Sequence, residues 1–330
     1  MSHTLLLITD SKTIDITPIV GNVRWSSHVD TLGQSLEFEV AYSDTKFFPK
    51  NPCDLGHMVV LKNGARELYR GIIIRGNESG RNPISYESLD LAVYLNESTS
   101  VYQFKKINAK QAITKVLSDF IIPIGSIDSM PTLIKKIYIE ETPATIITDI
   151  IEQVEKDVGY KFRMEMRAGK MYIVKRKDLV VSGTFRLSTN LPKNSVTDAI
   201  SEPTRSRSIQ EMRNSIKIVL QGEKDSYSIK ATAKNQKLID QYGLLEHTET
   251  IEKTDVAKAK NIANNRLKEL GRIFEDNTMR LIGHDDFIAG RLIEINEPVT
   301  GMRGKYLIKS VTHVLEGAQH YMDVSLGVDV

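Results

Sequence analysis

Two histidines flank a glutamate in His313-Val-Leu-Glu316-Gly-Ala-Gln-His320. Imidazole and carboxylate donors at such spacing are the raw material of a zinc site. A hairpin accounts for the same letters. With Glu316-Gly317 as a two-residue turn, His313 and His320 fall opposite one another on neighbouring strands. They could share a metal there, but no third ligand on that face is identifiable. His284-Asp285-Asp286 reads as a solvated turn, and His3, His28, His57 and His247 each stand alone. Cys53 is the single cysteine, and nothing designates the histidine that would activate it as a nucleophile. Serine-hydrolase, zinc-protease and nucleotide-loop motifs are absent, and Asp and Glu are too evenly spread to single out a hydrolytic pair. Arg205, Arg207 and Arg213 lie in a polar stretch with no interleaved aromatic to stack on bases, so a solvated loop is expected. The sequence therefore assigns no catalytic, cofactor-binding or metal residue, and no cofactor is expected.

The composition narrows the class. The 330 residues carry 44 Lys+Arg against 42 Asp+Glu, a net charge of +2. That balance argues against a protein devoted to gripping duplex DNA. One cysteine permits no intrachain disulfide and suits a reducing compartment. "MSHTLLLITD" lacks the basic region of a signal peptide, and no run approaches the length of a membrane span. No membrane partner is expected.

Three regions follow from periodicity. Residues 1–104 read as short strands: "SLEFEVAY" alternates Leu36, Phe38 and Val40 with Glu37 and Glu39, and Asn63-Gly64 marks a hairpin. A small antiparallel β-barrel is expected there. Residues 105–180 read as an α+β domain. Its clearest helix has Thr142 as cap, Pro143 in the first turn, Ile146, Ile147, Ile150, Ile151 and Val154 as the apolar stripe, and Gly159 as terminator. Asn108 caps a shorter helix, and Ala168-Gly169 turns a hairpin. Residues 181–330 return to strands, including "NSIKIVLQ" and "SYSIKATAK", with a helical insertion at about 234–272. "SEPTRSRSIQEMRN" is the most linker-like piece. The expected fold is α+β, mainly β: two similar small barrels flanking an α+β domain.

The two barrel regions share a phrase. "GHMVVLKNGARELYRGIII" (56–74) and "GRLIEINEPVTGMRGKYLI" (290–308) both open on Gly, alternate into apolar positions, cross a turn and resume at Arg-Gly. These words, with "YESLDLAVYL" after the first and "HYMDVSLGV" after the second, resemble phage tail baseplate hub proteins of the late control gene D and XkdQ-like family. The resemblance spans nearly the whole chain, and its motifs are diffuse strand rhythms.

The resemblance implies a structural hub, not an enzyme: a homotrimer whose three chains present six barrel units around a central passage. Such a ring adapts a hexameric tail tube to a trimeric spike in a contractile tail or tail-like bacteriocin. The implied partners are other copies of the chain, a tail tube or tube-initiator protein, the central spike, other baseplate proteins and, at most, DNA passing through the channel. The implied location is the bacterial cytoplasm during assembly, then the baseplate. Competing readings are a peptidoglycan-degrading tail enzyme, which requires two unpaired acids in a cleft, and a polysaccharide-binding β module. With one tryptophan and 7% aromatics, the sequence offers little for sugar stacking.

Overall fold

Alternating apolar residues build most of the molecule. In the computed structural model, which describes residues 3–187, 199–222, 226–317 and 319–328, the fold is α+β and mainly β. The chain divides into two units, Met1–Pro203 with Thr278–Ser325, and Thr204–Asn277 with Leu326–Val330.

The largest sheet contains the same strand order twice. Its first half runs Val20–His28, Gln34–Val40, Ile84–Asp90, Arg66–Asn77, Met58–Asn63. Its second runs Ala199–Ser208, Phe274–Ile282, Gln319–Val328, Met302–Glu316, Leu292–Glu297. Numbered by chain position within each half, both read 1-2-5-4-3. The halves differ beyond their last strand. Met58–Asn63 pairs antiparallel with His3–Ile8, whereas Leu292–Glu297 pairs parallel with Val180–Leu187. Met302–Glu316 also pairs antiparallel with Val20–His28, from Ser310↔His28 to Leu315↔Val23, which joins the halves along a seam.

The shared phrase has a shared hydrogen-bond clasp. The amide of Gly56 donates to the Ile73 carbonyl at 2.8 Å, and the Ile73 amide donates to the His57 carbonyl at 2.9 Å. In the second half Gly290 donates to Ile308 at 2.8 Å and Ile308 to Arg291 at 2.9 Å. Both glycines are left-handed, with φ of +80° and +89°, a conformation that costs an L side chain about 1–2 kcal/mol. Glycine thus opens each phrase because the strand entry demands it.

The α+β region packs two helices on sheet. Ala109–Asp119 is capped by Asn108, whose side chain accepts from the Lys110 amide. Pro143–Val158 is capped by Thr142, which accepts from the Thr145 amide, and ends at Gly159 with φ of +78°. The latter helix buries Ile146, Ile147, Ile150, Ile151 and Val154, each contributing roughly 1.5–3 kcal/mol by leaving water. Strands Ser100–Asn108 and Leu133–Glu141 pair antiparallel, and the hairpin Phe162–Arg167/Lys170–Lys175 takes Ile124–Ile127 as a parallel neighbour.

The insertion is wider than the helical one expected at about 234–272. Ser215–Gln221 pairs with Tyr227–Lys234 and, in parallel, with Glu246–Ile251, forming a three-stranded sheet of its own. Ala259 and Ala263 of helix Ala259–Leu270 pack with Ile216, Ile218 and Ala233 on that sheet. "NSIKIVLQ" and "SYSIKATAK", expected among the strands of the second barrel region, therefore belong to this α+β unit. Their apolar face is covered by a helix that follows them in the chain.

Candidate functional site

The groups sorted by chemistry in the sequence rearrange in space. Strand His3–Ile8 brings His3 beside Asp285, with His3 Nε2 3.4 Å from Asp285 Oδ1. His320, entering along Gln319–Val328, places Nδ1 4.0 Å from the same oxygen. His313 stands behind His320, its Nδ1 3.2 Å from His320 Nε2. The hairpin reading thus brings His313 and His320 together, while His3 and Asp285, read as a lone histidine and part of a solvated turn, join them. Asn63, at the tip of the Asn63-Gly64 hairpin, donates to Asp285 Oδ2 at 2.6 Å. Arg66 reaches Asp286 at 2.6 Å.

The electrostatics follow from enclosure. Burial lowers the His313 pKa to about 3, against a smaller upward pull from its bond to the Phe287 carbonyl. His320 falls to about 4, chiefly through burial and then the neighbouring His3. Burial alone would raise Asp285, but hydrogen bonds from His3 and Asn63 prevail and hold it at about 2. At neutral pH the cluster is one carboxylate among uncharged imidazoles His313 and His320. The His313 tautomer is fixed by its surroundings. Its Nε2 lies 3.0 Å from the Phe287 carbonyl, which can only accept, so Nε2 carries the proton and Nδ1 accepts from His320.

A second buried polar group joins other segments of the same unit. Glu165, 2% exposed, pairs with Arg167 and with Arg291, the latter at 3.0 Å. Arg163 donates to the Val29 carbonyl at 2.8 Å. Burial is the main cause lowering the Arg163 pKa.

The remaining candidates have structural surroundings. Burial pushes the Cys53 thiol up to about 12, far from a nucleophile's range. Arg205 and Arg207 lie on a strand, Ala199–Ser208, instead of a solvated loop, and Arg205 is bidentate to Glu275 at 2.6 and 3.2 Å. Arg213 donates to the carbonyls of Gln210 and Met212. Among the described residues, no helix is long and apolar enough to cross a membrane.

Comparison with known proteins gives this geometry a setting. The family described as YQBQ-like matches residues 23–327. The phage-like element PBSX protein XkdQ of Bacillus subtilis (strain 168) is 24% identical over 275 residues, covering 82% of this chain and 81% of that protein. The 43 kDa tail protein of prophage MuSo2 from Shewanella oneidensis superposes with a TM-score of 0.74 at 12% identity, over 98% of each chain. A tail protein from Neisseria meningitidis MC58 superposes with a TM-score of 0.70 at 15% identity, over 100% of this chain and 97% of that one. At these identities the superpositions establish a common fold.

Proposed function

The chain belongs to the YQBQ-like family, and from that membership we propose that it is the structural hub of a phage or phage-like tail baseplate. Three copies form a ring, each contributing two similar β-barrels, at 1–104 and within 181–330, on either side of the α+β domain at 105–180. Six barrel units then meet a sixfold tail tube or its initiator, while the threefold arrangement of chains meets a central spike. Closed assemblies satisfy all their interfaces only when neighbouring symmetries match, and a doubled module within one chain reconciles six with three. The observation that carries this reading is the recurrence of the 1-2-5-4-3 strand order and the glycine clasp in both halves.

The role is one of assembly, in a contractile tail or a tail-like bacteriocin, with other baseplate proteins as further partners. No catalytic step is assigned to it. The chain would be made in the bacterial cytoplasm and end in the baseplate of the released particle.

Native mass spectrometry of the chain, alone and co-expressed with its tube and spike proteins, tests the proposal. A trimer that recruits both partners supports it. A chain that stays monomeric in their presence, or a different closed stoichiometry, overturns it.

A further inference from the structure

We propose that His3, Asp285 and His320 together bind one divalent transition-metal ion of the zinc type. One donor atom from each of the three residues lies within 4.8 Å of the others, and His3 Nε2 and His320 Nδ1 are the nitrogens that approach Asp285 Oδ1. A tetrahedral ion with bonds of roughly 2.0–2.1 Å spaces its ligand atoms about 3.3–3.4 Å apart. His3 and Asp285 already stand at 3.4 Å, and His320 is 4.0 Å from Asp285. Two imidazoles and one carboxylate are a donor set suited to zinc, with a fourth position left for water.

The hydrogen bonds around the cluster orient its donors for a cation. The Phe287 carbonyl places the His313 proton on Nε2, so His313 Nδ1 accepts a hydrogen bond from His320 Nε2. His320 Nδ1 then presents a lone pair toward a carboxylate oxygen. An ion at that point would take the place of the proton that His3 Nε2 and Asp285 Oδ1 share and would also accept the His320 lone pair. The supporting contacts are those of a built site. Asn63 occupies the far oxygen of Asp285, so that Oδ1 faces His3 and His320. Trp25 stacks on His313 and fixes the ring that aims His320. Gly283 has no side chain because a Cβ there would collide with the His320 ring.

The ion would staple three segments that are far apart in sequence: the first strand, the loop at 283–289 and the C-terminal hairpin. A ligand that binds only the folded chain stabilises it by mass action. The competing account is a hydrogen-bond network that needs no metal.

The full chain, treated with chelator and desalted, is titrated with zinc sulfate by calorimetry and with cobalt(II) by visible absorption. One zinc per chain and the intense band of tetrahedral cobalt are expected, together with a melting temperature that rises with zinc. His3→Gln and Asp285→Asn should each weaken binding by more than the roughly 10–100-fold typical of losing an outer-shell partner. His247→Gln should leave it unchanged. His320→Gln also removes the contact to buried His313, so His3→Gln on the first strand is the decisive variant, its fold checked by near-ultraviolet circular dichroism. Failure of zinc to bind, or binding unaltered in folded His3→Gln and Asp285→Asn, overturns the assignment, as does an equal response to magnesium.

Discussion

The indole of Trp25 lies flat on the imidazole of His313, ring centroids 4.5 Å apart and planes 1° from parallel. The two are cross-strand partners in the seam between Val20–His28 and Met302–Glu316. Trp25 is the only tryptophan in the sequence, so its fluorescence reports on this seam alone. Trp25→Ala should destabilise the chain by about 3–5 kcal/mol through lost contact and a residual cavity. Urea unfolding followed by far-ultraviolet circular dichroism measures the loss.

Stability should fall as pH drops below the ordinary histidine range. The folded chain holds His313 at about 3 and His320 at about 4, whereas the unfolded chain protonates both near pH ~6.5. The unfolded state therefore binds more protons between pH ~6.5 and ~4. Stability decreases there by up to about 1.4 kcal/mol per pH unit for each histidine. Asp285, held at about 2, has the same sign in a lower window: its contribution is present above the unfolded value and disappears as pH falls toward 2. Urea midpoints measured in chelator from pH 4.5 to 7 should show the slope, and His313→Gln should roughly halve it.

Glu165→Gln should cost about 1–3 kcal/mol, because it leaves the partly buried Arg167 and Arg291 without their shared carboxylate. The residue is 2% exposed between Arg167 and Arg291. A melting temperature unchanged from the parent would contradict the pairing described.

Two glycines of the first half should respond differently to alanine. A Cβ at Gly71 would collide with the Leu89 carbonyl and the Tyr69 hydroxyl, while one at Gly56 meets open space. Gly71→Ala forces backbone to move and should cost about 1–3 kcal/mol. Gly56→Ala carries only the conformational cost, about 1–2 kcal/mol. Paired denaturation curves should place Gly71→Ala as the more damaging variant.

Features written in local spacing were legible in the sequence. The helix Pro143–Val158 carried a cap, a first-turn proline, an apolar stripe and a terminating glycine, and each performs the task its chemistry predicts. The resemblance to XkdQ-like tail proteins rested on strand rhythm that the family match spans. Strands without an apolar rhythm were missed. Glu246–Ile251 reads Glu-His-Thr-Glu-Thr-Ile and becomes a strand because Ser215–Gln221 offers it a parallel edge. "SEPTRSRSIQEMRN" looked like a linker because its composition is polar and irregular, yet its first part lies in strand Ala199–Ser208, where Arg205 pairs with Glu275 from another strand. Half of the histidine cluster was legible as the His313/His320 hairpin, whereas His3 and Asp285 gave no local signal, being 282 positions apart and brought together only by the sheet.

The seam strand has a mechanical consequence. Met302–Glu316 is bonded to the neighbours within its own half and also to Val20–His28. A load applied along these strands crosses from one half to the other as shear, borne by backbone hydrogen bonds that must rupture together. The two halves therefore share a run of backbone pairing from Ser310↔His28 to Leu315↔Val23, through which pulling force passes directly from strand to strand.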